Sequence, residues 1–539
     1  MKIISGKERE RLQVSVSGTL YAPFLGKGSF LNLSGAYNPF TINSELNSGS
    51  PWIAQDGLFI GFLKNTSGLF RYVKELNYIS AEIPKNQELL VIEGSKLKEA
   101  AQEYNKLTNN SQKIHIAQQF NLLPEYCTWT EQKIPTPSNP RERINHDFVI
   151  SYAKKIKDLG LPDGKLTIDC YWCDPKDFGD WTVNQDKFPD IASTASVLEN
   201  LGFIPGLWIA PYLCHPDSKF ANNNPNSLDM KKRWMGQIFW FLKPTKAVEL
   251  QYTEVFQRII DWGFRKIKID ISYGNKRKMG RLLELFSRII RSIDNQVEIE
   301  AHMPDPNYSI YSDMIRTNDV FIRSPNLIID RLTGYAVENV PQIIPKIQNG
   351  LYWLKSRLFW QKCRLSTPGK LLNLDYCGGN SPHVSTDQYL MHLKNYLISV
   401  GSPAFALIPS RFGIKAIKAV KNYLDFYSMY KDLIPGSEYV ESLEIPAKTI
   451  LLKKDGRSWF FASETGKVIL NGQLYSLPKY SQGFYTSEND DSEMMVLSAN
   501  DGQFKSNRKI EIISDITTDI KVLNGGITSY HIHRILFQS

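Results

Sequence analysis

The sequence predicts an α/β protein in which a (β/α)8 TIM barrel is flanked by N-terminal and C-terminal β-sandwich domains. Three observations favour this fold. Eight short β-branched segments alternate with longer amphipathic ones between about residues 120 and 435. No glycine-rich phosphate loop follows an early strand, which disfavours a doubly wound sheet. Alternating apolar and polar residues, broken by turn residues, precede and follow this region.

Residues 1–115 are predicted to form the N-terminal β-sandwich domain. Short runs such as LQVSVSGTLYAPF and GLFIGFLKN alternate apolar with polar residues and end at Gly, Asn, Ser or Pro. This two-residue period is typical of antiparallel strands. The segment SKLKEAAQEYNKLTNN has helical periodicity instead, and we expect a helix that closes the domain.

Residues 116–435 are predicted to form the barrel. The strand segments are EYCTW, KLTIDCYW, FIPGLWIAP, RKIKIDIS, VEIEAHMP, DMIRTNDV, LLNLDYCGG and PAFALIPS. The predicted helices span residues 144–159, 191–201, 249–262, 278–293, 340–361, 384–400 and 414–432. Strands and helices that alternate in this way form parallel βαβ units.

Residues 436–539 return to alternating runs, and we expect a smaller C-terminal β-sandwich domain there. The dipeptides Asp455-Gly456 and Asn471-Gly472 separate pairs of apolar runs. Such dipeptides favour the two-residue turn of a β-hairpin. The sequence therefore predicts a hairpin at each of them.

The composition excludes several classes of protein. Of the 539 residues, 42% are hydrophobic and 22% are charged, which is typical of a folded globular chain and not of a disordered one. The net charge is +9, but lysines and acids are interleaved, and pieces such as DMKKRW are interpreted as solvated surface. A nucleic-acid partner requires clustered positive charge, so none is expected.

The N-terminus and the cysteines indicate the compartment. MKIISGKERERLQV carries charges where a secretory signal has its apolar core, and no segment is long and apolar enough to span a bilayer. We therefore expect a soluble cytoplasmic protein with no membrane partner, whose six cysteines are reduced. Cys170 and Cys173 form a C-x-x-C pair without a second pair at zinc-ribbon spacing, so no metal and no cofactor are expected.

A TIM barrel carries its active site at the C-terminal ends of its strands. The residues predicted there are rich in acids and tryptophans: Trp129, Asp169, Trp172, Trp208, Lys268, Asp270, Glu300, His302, Arg316, Asp319 and Asp375. Two carboxylates suit the cleavage of a glycosidic bond, and aromatic rings suit stacking on a sugar. This set contains no serine–histidine–aspartate combination.

Asp270 and Asp319 are the best-placed acids of this set. Lys268 and Asp270 are two residues apart on a predicted strand and share one face. If that face points into the barrel, the lysine keeps the carboxylate ionised, as a nucleophile requires; the alternative is a surface ion pair. Asp319 follows Arg316 by three positions and can face Asp270 across the barrel mouth; the alternative is an ordinary turn.

Six motifs resemble the barrel of clan D glycosidases. In chain order they are YCTWT, IDCYW, FGDWTVNQDKFPD, LGFIPGLWIAPYLCHPDSKF, DWGFRKIKID and IRTND, spread over about 200 residues. Within the clan, the chain looks most similar to glycoside hydrolase family 36, the α-galactosidase and raffinose-synthase group, with family 31 second. The resemblance implies a retaining α-glycosidase on a (β/α)8 barrel.

The resemblance also implies roles for individual residues. The aspartate at the end of the K-x-D strand, Asp270, matches the nucleophile, and the aspartate of the R-x-x-D loop, Asp319, matches the acid/base. Asp169 is implied to hydrogen-bond distal hydroxyls of the sugar in the −1 subsite. The other residues implied to bind hydroxyls or to wall this subsite are Lys268, Arg316, Trp129, Trp172 and Trp208.

Departures from the family 36 pattern leave the sugar open. The second aspartate of the family's D-D-G-W motif is Cys170 here, so a carboxylate that would hold the 4- and 6-hydroxyls is missing. The D-C-aromatic-W pattern looks instead like family 31 α-xylosidases. Ala210 stands where a glutamate is common, and EAHMP stands where a cysteine is often found, so His302 or Glu300 is expected to read the 2-position substituent.

The sequence thus predicts a retaining, exo-acting α-glycoside hydrolase of α-galactosidase type, whose partner is an oligosaccharide or glycoside. The enzymatic alternatives are an α-xylosidase or α-glucosidase, an α-N-acetylgalactosaminidase, and a transglycosylase of the same clan. The non-enzymatic alternative is a carbohydrate-binding protein on a decayed barrel, which predicts the loss of a catalytic acid, yet both acids remain. The sequence leaves a homo-oligomer open.

Overall fold

The structure is a computed structural model of the chain. Its longest described part, residues 143–271, is interrupted only at residue 235. The described residues are 1–6, 10–15, 20–21, 36–37, 52–55, 57–63, 69–73, 78–85, 87–108, 122–132, 143–234, 236–271, 276–302, 310–316, 371–376, 402–405, 417–418, 420–421, 424–425, 427–428, 431, 438–440, 449–454, 457–462, 467–470, 473–476, 481–486, 495–498, 504–506 and 512–513.

The N-terminal region contains two antiparallel sheets. Strands β1 to β9 are Lys2–Ser5, Glu10–Ser15, Leu20–Tyr21, Ala36–Tyr37, Trp52–Gln55, Leu58–Phe62, Leu69–Val73, Tyr78–Ile83 and Glu88–Glu93. Six of them pair in the order β1-β9-β6-β5-β3-β4, and the other three pair as β2-β8-β7. Phe62 and Phe70, one from each sheet, have ring centroids 5.0 Å apart in a shared buried cluster. The expected closing helix is α1, Leu97–Leu107.

Eight parallel strands form a closed barrel in the middle of the chain, and three further strands, β13 to β15, belong to a separate sheet. In chain order, strands β10 to β20 are Glu125–Cys127, Lys165–Ile168, Ile204–Ile209, Leu213–Cys214, Leu228–Trp234, Gln237–Leu242, Lys266–Ile269, Glu298–His302, Met314–Arg316, Leu371–Tyr376 and Ser402–Phe405. The barrel order is β10-β11-β12-β16-β17-β18-β19-β20, and β20 pairs back onto β10. Each barrel strand overlaps one of the eight predicted segments, so the prediction of a TIM-barrel-like domain is confirmed.

Helices lie between the barrel strands, as expected. Helices α2 to α7 are Trp129–Gln132, His146–Asp158, Ile191–Asn200, Lys219–Asn223, Lys246–Asp261 and Lys276–Ile293, and two short 3₁₀ helices span Pro175–Asp177 and Pro225–Ser227. Four of them confirm the helices predicted at 144–159, 191–201, 249–262 and 278–293. The predicted helices at 340–361 and 384–400 lie outside the described residues, and in 414–432 the residues described up to Ser428 are helical.

Side-chain caps explain where three of these helices begin. The Asn145 side chain accepts a hydrogen bond from the backbone of Phe148, and the Asp190 side chain accepts one from Ser193. Thr245 caps the next helix in the same way. Each cap satisfies a backbone N–H of the first turn that has no partner within its helix.

The β16 strand separates the two environments of the barrel wall. Ile267 and Ile269 are fully buried in the apolar cluster that also contains residues of the surrounding helices. Lys266 and Lys268 alternate with them and bind carboxylates that lie inside the barrel. The predicted inward face of this strand is therefore charged, and Asp270 lies two residues beyond Lys268, just past the end of the strand.

A small sheet that the sequence did not predict lies beside the barrel mouth. Strands β13, β14 and β15 pair as an antiparallel sheet in the order β13-β15-β14. The piece DMKKRW, interpreted as solvated surface, forms most of β14. Its lysine Lys231 lies over the Trp240 ring at 4.7 Å. The many charged residues of DMKKRW favoured a surface interpretation, although exposed and half-buried residues are mixed along this strand.

The C-terminal region is also made of antiparallel strands. Strands β21 to β29 are Glu438–Val440, Thr449–Lys454, Arg457–Ala462, Lys467–Leu470, Gln473–Ser476, Ser481–Thr486, Met495–Ser498, Phe504–Ser506 and Ile512–Ile513. Lys454 pairs with Arg457, and Leu470 pairs with Gln473, which confirms both predicted hairpins. No helix among the described residues is long and apolar enough to cross a bilayer.

Candidate active site

Asp270 lies immediately beyond strand β16, at the C-terminal end of the barrel. Its backbone N–H donates to the carbonyl of Ile209 at 2.9 Å, which continues the pairing of β16 with β12. Its side chain is 12% exposed, whereas its neighbours Lys268 and His302 are 4% and 0% exposed. The carboxylate therefore borders the mouth while its partners lie in the barrel wall.

Among the described residues, three donors and one histidine nitrogen surround the Asp270 carboxylate. Oδ1 accepts from the backbone N–H of Ile271 at 2.6 Å and from Arg316 Nη2 at 3.1 Å. His302 Nδ1 lies 3.1 Å from the same oxygen. Oδ2 accepts from Trp208 Nε1 at 2.9 Å. Strands β12, β17 and β18 each contribute one of these side chains, so the closed barrel is what brings them together.

This environment keeps Asp270 ionised. Burial alone raises the pKa of a carboxyl group, but the charge of Arg316, the contact with His302 and the charge of Lys268 outweigh it and hold the pKa of Asp270 well below its usual range. A buried, ionised carboxylate at a barrel mouth is the state that a nucleophile requires.

Lys268 binds Asp169. Its Nζ lies 3.1 Å from Asp169 Oδ2, which also accepts from Cys127 Sγ at 3.2 Å. Asp169 Oδ1 accepts from the backbone of Cys170 at 2.8 Å. Lys268 also lowers the pKa of Asp270 through its charge, and Arg316 donates a hydrogen bond to that carboxylate.

Residues with a strained backbone conformation lie shortly after both aspartates in the sequence. Ile271, next to Asp270, has φ of 61°, and Tyr171, two residues after Asp169, has φ of 79°. These left-handed conformations are unfavourable for residues with a side chain, and most of all for a β-branched one. At Ile271 the turn aims the backbone N–H at the Asp270 carboxylate. The strain is thus tied to the geometry of the acid.

The tryptophans divide into two groups. Trp208 contacts Asp270, and Trp129 is partly exposed and stacks on Tyr171 with centroids 6.4 Å apart. Trp172 is fully buried; its Nε1 donates to the carbonyl of Trp208 at 2.7 Å. The Trp172 ring packs on two other tryptophans of the core, and its expected place in the wall of the sugar pocket stays a prediction.

A tryptophan that the sequence did not single out lies over this group. Trp234, at the end of β14, stacks on Trp208 with ring centroids 6.1 Å apart and an interplanar angle of 17°. Its place depends on the unpredicted sheet beside the mouth. A tryptophan next to a hairpin turn was the available signal, but the charged residues around it favoured a surface interpretation.

A network of buried charges lies below the site. Lys266 contacts Glu125 and lies 2.5 Å from Glu300 Oε2, and Asn373 donates to both carboxylates at 2.6 and 2.7 Å. Lys165 binds Glu298 at 3.0 Å. Barrel interiors are usually filled by branched apolar side chains, so this charged core is a particular feature of the chain.

Glu300 belongs to this network and not to the mouth. Burial and the nearby Glu125 carboxylate raise the pKa of Glu300 to about 7, against the opposing effect of Lys266. Its Oε1 has no hydrogen-bond partner among the described residues. Of the two residues expected to read the 2-position, His302 lies beside Asp270, and Glu300 lies one strand layer lower.

Cys170 and Ala210 occupy the two sequence positions at which the resemblance to family 36 leads us to expect acids. Both are buried. Burial and the Asp169 charge raise the pKa of the Cys170 thiol, so it stays neutral.

Asp319 lies outside the described residues, as does the Asp375 side chain. In the described part of the chain, no three His, Cys, Asp or Glu side chains are grouped to hold a metal ion.

Comparisons with known proteins agree with this architecture. No protein-family model matches the chain. An α-galactosidase from Thermus thermophilus, solved with stachyose, has a TM-score of 0.56 at 13% identity, over 78% of this chain and 96% of that one. The family 36 α-galactosidase AgaA from Geobacillus stearothermophilus has a TM-score of 0.52 at 12% identity, over 92% of this chain and 69% of that one.

A curated relative is similar in sequence. An α-xylosidase from Emericella nidulans is 29% identical over 198 residues, which are 34% of this chain and 23% of the relative. The chain thus matches less than a quarter of that protein's length. The resemblance to clan D glycosidases is confirmed by both kinds of comparison. The chain has the fold of the family 36 α-galactosidases.

Proposed function

We propose that the protein is a retaining α-glycoside hydrolase that acts on terminal α-linked sugars. The observation that supports this proposal best is the Asp270 carboxylate, ionised at the barrel mouth and held by three donors with His302 beside them. The neighbouring Asp169–Lys268 pair supplies polar groups for sugar hydroxyls. The structural relatives named as α-galactosidases and the sequence relative named as an α-xylosidase support the same class of reaction.

In the proposed mechanism, Asp270 attacks the anomeric carbon while Asp319, protonated, donates its proton to the leaving oxygen. Asp319 then deprotonates water, which attacks the same carbon and releases the sugar with its α-configuration retained. This double displacement needs the two carboxyl groups roughly 5–6 Å apart. A separation near 9 Å, measured in a crystal structure of the protein, excludes the mechanism.

Fewer observations bear on which sugar binds in the −1 subsite. An α-galactosidase specificity agrees with the structural relatives. An α-xylosidase specificity agrees with the sequence relative and with the neutral Cys170 thiol, because xylose has no 6-hydroxymethyl group to be held there. α-Glucosidase and α-N-acetylgalactosaminidase activities, and transfer to a sugar hydroxyl, use the same acids.

The setting of this activity is proposed as well. We infer a cytoplasmic enzyme with a catalytic barrel at 116–435 and β-sandwich domains at 1–115 and 436–539. The two N-terminal sheets and their shared cluster support the first sandwich. An oligosaccharide or glycoside is the partner, without nucleic acid or membrane.

A panel of nitrophenyl α-glycosides tests the proposal. The galactoside, xyloside, glucoside and N-acetylgalactosaminide are each incubated with the protein, and NMR follows the first anomer released. Hydrolysis of at least one member with the α-anomer formed first is the expected result. Release of the β-anomer contradicts a retaining mechanism, and inactivity on every member contradicts the proposed class of reaction.

A further inference from the structure

The two oxygens of the Asp270 carboxylate have unequal surroundings. Oδ1 faces three groups: the Ile271 N–H at 2.6 Å, Arg316 Nη2 at 3.1 Å and His302 Nδ1 at 3.1 Å. Oδ2 accepts from Trp208 Nε1 at 2.9 Å. An ionised carboxylate has about two lone-pair directions on each oxygen. Among the described residues, Oδ1 is therefore crowded by three groups, whereas Oδ2 faces one donor and has a second lone pair available for a covalent bond.

The contact between His302 and Asp270 favours a proton on the histidine nitrogen that faces the carboxylate. An unprotonated Nδ1 and a carboxylate oxygen are both acceptors and repel each other, so a 3.1 Å separation is favourable only with Nδ1 protonated. His302 pairs with Arg316 in the β17–β18 register, which places both side chains on the same oxygen. The His302 ring is fully buried, so this contact is fixed by the barrel wall.

We propose that Oδ2 of Asp270 is the attacking oxygen and that His302 is a positioning residue that holds Oδ1 through its Nδ1–H. This inference rests on the proposed function and deepens it. In the first step an Oδ2 lone pair forms the bond to the anomeric carbon. The electron pair of the broken glycosidic bond goes to the leaving oxygen, which takes the acid/base proton, and Asp270 becomes a neutral ester.

The contact with His302 has opposite effects on the two steps. In the ester, Oδ1 is a carbonyl oxygen and a weaker acceptor than a carboxylate oxygen. His302 therefore stabilises the ionised Asp270 more than the ester. This slows formation of the glycosyl-enzyme and speeds its hydrolysis, because the departing carboxylate regains its charge-assisted hydrogen bond. A residue that only fills space affects both steps alike.

Three substitutions separate the possible roles of His302. His302→Ala removes both ring nitrogens. His302→Asn places an amide N–H near the position of Nδ1, and His302→Gln places one near Nε2, because the side chains differ by one methylene. If Nδ1 acts on Asp270, His302→Asn keeps the function of the histidine and His302→Gln loses it. If Nε2 acts on the 2-substituent of the sugar, the order is reversed.

Pre-steady-state kinetics with the best nitrophenyl α-glycoside of the panel test the inference. In His302→Ala we expect hydrolysis of the glycosyl-enzyme to slow roughly 10-fold to 100-fold, the range for a lost charge-assisted hydrogen bond. Formation should be unchanged or faster, so a nitrophenol burst and an intact-mass adduct appear. His302→Asn should restore most of the hydrolysis rate. Equal losses in both steps, or rescue by Gln and not by Asn, overturn the inference.

A second measurement does not depend on activity. Carbon-13 NMR of labelled aspartate, assigned by comparison with Asp270→Asn, follows the titration of Asp270 in the wild type and in His302→Ala. We expect the Asp270 pKa to rise in the variant. An unchanged pKa overturns the role of His302 even where the enzyme is active. A wild type that is inactive on every α-glycoside contradicts the proposed function instead, and the titration still decides whether the contact exists.

Discussion

Glu300→Gln tests the buried network beneath the site. Glutamine has nearly the shape of a protonated glutamate, so its carbonyl oxygen can keep the contacts that Glu300 Oε2 makes with Lys266 and Asn373. Its amide nitrogen replaces Oε1, which has no partner among the described residues. The substitution therefore removes the ionisation of Glu300 with little change in packing.

The pKa of Glu300 determines the size of the effect. It rises from 4.5 to about 7 on folding, which corresponds to roughly 3 kcal/mol. Between these two values the unfolded chain loses its proton while the folded chain keeps it, so stability falls as the pH rises. Below about pH 4.5 Glu300 is protonated in both states and costs no stability. Above about pH 7 it is ionised in both states, and the whole loss of roughly 3 kcal/mol in the free energy of unfolding applies. Glutamine cannot ionise and escapes this loss.

Urea unfolding measured from about pH 4.5 to pH 8 provides the assay. We expect the free energy of unfolding of Glu300→Gln, relative to that of the wild type, to increase by roughly 3 kcal/mol across this range. The same substitution at Glu254, an exposed residue of helix α6, is the control and should show no such trend. A constant difference between Glu300→Gln and the wild type at all pH values refutes the reasoning.

Three further predictions concern the mouth of the barrel. Asp270→Ala should lower kcat by at least about 10⁴-fold, and azide should restore turnover with a β-glycosyl azide as product; wild-type activity in this variant contradicts the assignment. Trp172→Phe should lower the free energy of unfolding by about 1 kcal/mol, through the lost hydrogen bond to Trp208, and leave KM unchanged in kinetic assays; a large rise in KM contradicts its place in the core. Because the pKa of Asp270 is held well below its usual range, kcat/KM should show no acid limb from this residue between about pH 4 and pH 7, and a limb that Asp270→Glu displaces within that range contradicts its ionised state.

Periodicity was sufficient to predict the barrel. The strand segments are short, most contain β-branched residues, and the predicted helices have an amphipathic pattern, so local residues indicate both. The position of Asp270 at a strand end follows from the alternation of Lys266 and Lys268 with isoleucines. Lys268 was expected to keep Asp270 ionised, and its charge lowers the pKa of that carboxyl group. The pattern of one strand does not reveal that Lys268 also binds Asp169, which lies just beyond β11.

The missed features depend on contacts between distant parts of the chain. Lys266 meets Glu125 across 141 positions, and Asn373 meets Glu125 across 248 positions, so no local pattern predicts the buried network. Trp172 was expected at the pocket surface because tryptophans often stack on sugars, but burial is decided by the rings that surround it. The sheet that carries Trp234 was missed because its strand β14 is rich in charged residues, of which Lys231 and Arg233 are exposed while Asp229 and Lys232 are half-buried.

The covalent intermediate provides the most direct test of the role of Asp270. An activated 5-fluoro glycosyl fluoride of the sugar that the panel selects forms a slowly hydrolysed glycosyl-enzyme, and peptide mapping by mass spectrometry then locates the modified residue. We predict one sugar per chain, on the peptide that contains Asp270. A label on another carboxyl group, or no label on an enzyme that turns over the parent glycoside, contradicts the assignment of Asp270 as the nucleophile.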